Sequence, residues 1–249
     1  MMSFSMLRME HHYVSAPPTQ SHFISSLTLY RVSPTPESIM TATTPISRSK
    51  TAAMSRVIDA IGKGYRFYCC GTVPADKAVH LARKLHERHA IGATPAQRLT
   101  RKKHGKANCL LVVYWPLGAA EVEWLMLFTV GQLDSHEHPR DATDKHRLEW
   151  LGYELVRHPM RGAASWTWRR PKIEMTEHYA LLDASLAKRH HDAVEHHLAR
   201  IANQPGFNGV REQSWSLYQY ARQHGYQGDL PHLFYVQKIS HGERLILGK

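Results

Sequence analysis

The chain predicts an α+β fold, an antiparallel sheet backed by helices, and three observations carry that expectation. Short runs rich in β-branched and aromatic residues (Tyr65–Gly71, Cys109–Trp115, Glu121–Gly131) are separated by stretches whose apolar residues recur at a helical period. Glycine and proline punctuate the boundaries, at Gly62, Gly64, Gly92, Pro116, Gly152 and Pro171. An apolar fraction of 43% over 249 residues is sufficient for a core. No apolar run reaches the roughly 20 residues that a membrane-spanning helix requires.

The first segment differs from the rest. Met1 to Thr51 holds Pro17, Pro18, Pro34, Pro36 and Pro45 among many Ser and Thr, with no sustained period. It reads as part of a disordered extension covering residues 1–53, with one short strand expected at Phe23 to Val32. It lacks the apolar core of a secretory signal, and Met40 or Met54 could serve as an alternative start.

A core domain is expected over 54–171 and a helical region over 172–249. Met54 to Ile61 reads as a short helix and YRFYCCG as a strand. Ala75 to Ala90 is a helix with Ala78, Leu81, Ala82 and Leu85 as its apolar stripe. Thr94-Pro95 opens a helical turn. Cys109 to Trp115 is a buried strand stopped by Pro116, and Glu121 to Gly131 pairs with it, with Val122, Trp124, Met126, Phe128 and Val130 on the core face.

Ala142 to Leu151 reads as a helix, and Tyr153–Arg157 with Ser165–Arg170 as a second strand pair. From Tyr65 onward the order is β, α, β, β, α, β, β. Its first six elements match a ferredoxin-like, split βαβ sheet, an architecture that hosts RNA-binding modules and replication nickases alike. One long helix, Ile173 to Asn203, follows with Met175, Tyr179, Leu182, Leu186, Ala193, Val194, Leu198 and Ile201 as its stripe. Val210 to His224 is a further helix and Leu230 to Ile239 an extended segment.

Net charge is +11 and the pI about 9.7, a balance that suits acidic partners. Arg98, Arg101, Lys102, Lys103 and Lys106 cluster in a stretch where Glu87 is the one acid between Asp76 and Glu121. Arg157, Arg161, Arg169 and Arg170 follow in the second hairpin, beside Trp166 and Trp168. Cations next to aromatic rings are the chemistry of single-strand binding, where phosphates are neutralised and bases stack. The alternative is that the tryptophans anchor the core and the cations are solvated. Cys69, Cys70 and Cys109 are too few and too oddly spaced for a disulfide framework.

A metal site is suggested by His136 and His138, which an extended backbone would point to one side. A His-x-His pair with a downstream tyrosine helix, here carrying Tyr218 and Tyr220, resembles the layout of single-strand endonucleases that start rolling-circle replication or plasmid transfer. That resemblance implies a tyrosine nucleophile acting on a phosphodiester polarised by a divalent metal. Glu137 departs from it, since that family has a bulky apolar residue between the histidines. His191/Glu195 and Asp192/His196 are weaker metal-ligating pairs at helical spacing.

The leading expectation is a cytoplasmic nucleic-acid-binding protein, not an enzyme, with DNA favoured over RNA, no cofactor, and an accessory role on a plasmid or other mobile element. The alternatives are a metal-dependent single-strand endonuclease and a protein that docks a partner or a second copy through the helix at 173–203.

Overall fold

Cys109–Tyr114 carries no charge and one polar group, the Tyr114 hydroxyl, so neither face of a strand built from it belongs in water. In the computed structural model, which describes residues 42–133, 138–159, 165–236 and 243–248, both faces are covered. The described chain runs β1 (Thr43–Ser47), α1 (Lys50–Gly62), β2 (Tyr65–Pro74), a 3₁₀ turn (Ala75–Lys77), α2 (Ala78–His89), α3 (Pro95–Lys103), β3 (Cys109–Tyr114) and β4 (Glu121–Thr129). It continues with β5 (Arg140–Asp141), β6 (Glu149–Trp150), β7 (Tyr153–His158), β8 (Ser165–Arg169), α4 (Lys172–Ala187), α5 (His191–Ala202), α6 (Asn208–Gln223) and β9 (Arg244–Ile246).

The strands form a six-stranded sheet in the order β5-β2-β4-β3-β1-β9 and a three-stranded sheet in the order β6-β7-β8. β1 runs parallel to β3, and the other pairs are antiparallel. On one face of the large sheet, Leu111, Val113, Val122, Met126 and Phe128 pack with Ala78, Ala82 and Leu85 of α2. On the other, Val112, Leu125 and Leu127 pack with Ala53, Met54, Val57 and Ile61 of α1, and beyond them with Leu155 and Trp168 of the small sheet. The helix α1 therefore lies between two sheets. Ser49 caps it, its hydroxyl accepting from the Ala52 amide.

The described residues form an α+β protein with a mixed sheet and six α-helices. A ferredoxin-like, split βαβ arrangement is not confirmed. The helix expected at Ala142 to Leu151 is replaced by a loop and β6, and β7 and β8 join a sheet of their own. The segment is tied to β2 instead: β5 pairs with β2, and the Asp141 carboxylate accepts from Arg66 as well as from the Thr143 amide and hydroxyl. Leu151 and Gly152, both at positive φ, then close a two-residue hairpin from β6 to β7.

Three further expectations change. The extension drawn over residues 1–53 includes β1 and the start of α1; the strand expected at Phe23 to Val32 lies outside the described residues. β4 is buried on both faces, through Leu125 and Leu127 as well as Met126 and Phe128, whereas Val130 is exposed. The single helix expected from Ile173 to Asn203 is two helices, parted at Lys188–His190 with Arg189 at φ 55°. After Leu186 the next stripe positions, 189 and 190, hold Arg and His, so no apolar side chain favours continuing the helix. The break folds Val194, Leu198 and Ile201 back onto Leu182, and α6 completes the cluster with Leu217 and Tyr218. Leu182 is fully buried there, so it is not part of a surface for a second copy. No helix among the described residues is long and apolar enough to cross a membrane.

Two outcomes follow. A chain starting at Met54 lacks β1, the parallel neighbour of β3, and should show no cooperative thermal unfolding where the full chain does. The helical cluster should also be acid-sensitive. His178 Nδ1 stands 3.2 Å from His197 Nε2. Burial, then repulsion from His178, Arg200 and Arg170, pushes His197 down to about 4 from its ordinary 6.5. Between those values the unfolded chain takes up a proton that the folded chain refuses, so stability is lost as pH falls through the window. Tm should decline from pH 6.5 towards pH 4, and His197→Gln should make the decline shallower; an unaltered slope would clear His197 of the effect.

Candidate nucleic-acid interface

A cleft of about 1060 Å³ opens between the two sheets. One wall is the turn from α1 into β2: Gly64, at φ 91°, reverses the chain and Arg66 follows. The Arg66 guanidinium donates to Asp141 at 2.8 Å and to Thr143 at 3.0 Å, which fastens the loop carrying Asp144, Lys145 and Arg147. The opposite wall comes from β7 and β8, where Arg157 pairs across the strands with Trp166 and so shares its face. At the next pair on that face, Leu155 and Trp168 are buried, and the Trp168 indole donates to the Met54 carbonyl at 3.0 Å. The first two turns of α6 close the cleft with Gly209, Glu212 and Gln213. Glycine is required there, because a Cβ at 209 would lie 2.6 Å from the Trp168 carbonyl oxygen.

Five cations line this cleft: Arg66, Lys145, Arg147, Arg157 and Arg169. Three are already answered. Arg66 pairs with Asp141, while Arg147 and Arg169 both pair with Glu154 at 3.0 Å. Burial pushes the Asp141 carboxyl up, but the Thr143 hydrogen bonds and the Arg66 charge outweigh it and hold the group below its ordinary value. Lys145 and Arg157 have no acid partner among the described residues, so they are the charges available to a ligand. His158 Nε2 and Glu212 Oε1, 2.6 Å apart, form a ridge on the far side of the cleft.

The basic cluster read from the sequence lies on α3, attached at the same end of the large sheet, where β3 begins and β4 ends. Thr94 and Gln97 form a reciprocal capping box, and Pro95 takes the first helical position. No residue of α3 is buried. Arg98, Lys102 and Lys103 are exposed and have no acid partner among the described residues. Arg101 instead turns its side chain back to donate to the Ala107 carbonyl at 2.8 Å, and the backbone of Lys106 forms a parallel β-bridge with Gln132.

The other sequence candidates separate. Arg157, Arg169 and Trp166 come together in the cleft. Trp168 is a core residue. Arg170 is wholly buried and serves the fold: its guanidinium donates to Gln204, to the Val210 carbonyl at 3.1 Å and to the Ser214 hydroxyl at 2.9 Å. Glu174 adds a countercharge 3.9 Å away. Arg161 and His136 lie outside the described residues. His138 is exposed, and no group of three or more metal-ligating side chains occurs among the described residues.

Tyr218 is buried, with its hydroxyl directed at the Leu198 carbonyl 3.4 Å away, and burial pushes it up to about 12. It is not presented to a phosphodiester. Tyr220 donates to Asp183 at 2.6 Å, and that hydrogen bond raises its pKa. Both features work against a nucleophilic phenolate at neutral pH.

Sequence reasoning missed Arg66, Lys145 and Arg147. They come from segments up to 81 positions apart, and no local pattern joins them. No family model, curated protein or solved structure matches this chain.

Arg170→Ala should destabilise the protein by about 3 kcal/mol or more, because it leaves a cavity and orphans the Ser214 and Gln204 oxygens. Arg169→Ala, which removes a partly exposed cation and leaves Glu154 paired with Arg147, should stay within about 1 kcal/mol. Denaturant midpoints of the two variants separate these roles.

Proposed function

We propose that the protein binds nucleic acid through the cleft between its two sheets, with α3 as a second phosphate-contacting element. The cleft carries the reading: Lys145 and Arg157 stand unpaired in it beside the half-buried ring of Trp166, and a concave basic wall with an aromatic surface suits phosphates and bases together. Arg98, Lys102 and Lys103 add charge that attracts a polyanion over a longer range without fixing its register.

The charge balance sets the character of the site. With Asp141 and Glu154 counted against the lining cations, and with Asp144 and Glu212 at the rim, one net positive charge remains in the cleft. Binding of this kind relies on placed contacts as well as on field strength.

Lys145→Glu combined with Arg157→Glu should weaken oligonucleotide binding by roughly tenfold or more near 50 mM salt, and should reduce the slope of log K against log salt by roughly 0.7–0.9 per contact removed. Lys102→Glu combined with Lys103→Glu should flatten the slope with a smaller loss. Affinity and slope both unchanged in the Lys145/Arg157 variant would remove the cleft from the interface.

A further inference from the structure

Beyond the His158–Glu212 ridge lies a second concavity, of about 810 Å³, between α6 and the segment 231–236. Its walls are Arg211, Trp215, Leu233 and Tyr235. Trp215 is 53% exposed and Tyr235 66% exposed. Large aromatic rings left this open beside one another are uncommon on a protein surface and mark places where something is bound.

These rings are held in position. The Arg211 guanidinium lies flat over Tyr235, 3.3 Å from its centroid, and reaches the Leu233 carbonyl at 3.4 Å. The Val236 amide donates to the Gly206 carbonyl at 3.2 Å. Position 206 admits only glycine, because a Cβ would collide with the Phe234 carbonyl oxygen. Trp215 projects from the same side of α6 as Arg211, one turn further on. The groove is therefore built in advance, and its openness does not come from looseness.

We propose that this groove seats unpaired bases of a single strand whose phosphates occupy the neighbouring cleft; the inference rests on the nucleic-acid reading of that cleft. Trp215, and Tyr235 on the face that Arg211 leaves open, offer flat apolar surfaces, which every base can stack on and which a paired base in a duplex cannot reach. Arg211 brings positive charge to the same wall, and groove and cleft adjoin, since His158 and Glu212 line both. The consequence is a preference for single strands over duplex.

The test measures affinities of the full chain for single-stranded and duplex oligonucleotides of equal length, as DNA and as RNA, with polyglutamate as an acidic-peptide control. The wild type should favour the single strand. Trp215→Ala and Tyr235→Ala should each weaken single-strand binding about tenfold and leave duplex binding unchanged within about twofold. Trp215→Phe, which keeps a stacking face, should restore most of the loss, and an unaltered Tm in each variant excludes unfolding. Equal losses on single strand and duplex, or no loss on either, would overturn the base-stacking role while leaving the cleft intact. Failure of the wild type to bind any oligonucleotide would remove both readings. Trp215-dependent binding of polyglutamate alone would assign the groove to an acidic peptide and overturn the proposal.

Discussion

The Arg170 guanidinium lies out of water, and removing a cation from water costs several kcal/mol unless its donors are answered. Here each nitrogen has an acceptor, and the acceptors come from two places: Gln204 in the turn after α5, and Val210 with Ser214 in α6. The backbone takes part as well, since the Arg170 amide donates to Gln213 and the Gln213 side chain returns a hydrogen bond to the Arg170 carbonyl. One residue at the end of β8 thus determines where α6 begins and how it is turned. That rotation buries Val210, Ser214 and Leu217, faces Glu212 and Gln213 to the cleft, and leaves Arg211 and Trp215 along the groove. Both proposed contact surfaces depend on it.

The strands and helices with strong local signals were legible in the sequence. The run at Cys109 read as a buried strand that Pro116 ends, and Thr94-Pro95 marked where α3 begins, although a single turn was expected in place of the nine-residue helix. What could not be read was decided over distance. β1 was hidden in a Pro- and Ser-rich stretch because its stability comes from pairing with β3 and β9, not from its own composition. The single helix at 173–203 looked continuous because its apolar stripe resumes after Arg189; the gap in the stripe at 189 and 190 is where the chain folds back.

The candidate site shows the same division. The charges on α3 were visible as a local cluster. In the second hairpin, adjacent arginines had opposite fates that charge alone could not distinguish: Arg169 sits half-exposed against Glu154, while Arg170 is enclosed. Trp166 and Trp168, two positions apart on one face, divide likewise between rim and core, because α1 covers only the deeper one. Trp215 and Tyr235 carried no sequence signal, since an exposed and a buried aromatic on a helix look alike until the helix is placed.

In the proposed reading, cations left without an acid partner, Lys145 and Arg157, work together with the aromatic rings of Trp166, Trp215 and Tyr235. The most direct measurement is photo-crosslinking of a bound single-stranded oligonucleotide to the full chain, with the attachment points mapped by mass spectrometry. The account predicts crosslinks at Trp166 in the cleft and at Trp215 and Tyr235 in the groove. Crosslinks confined to α3, or scattered over other exposed aromatics with none in the cleft or groove, would contradict it.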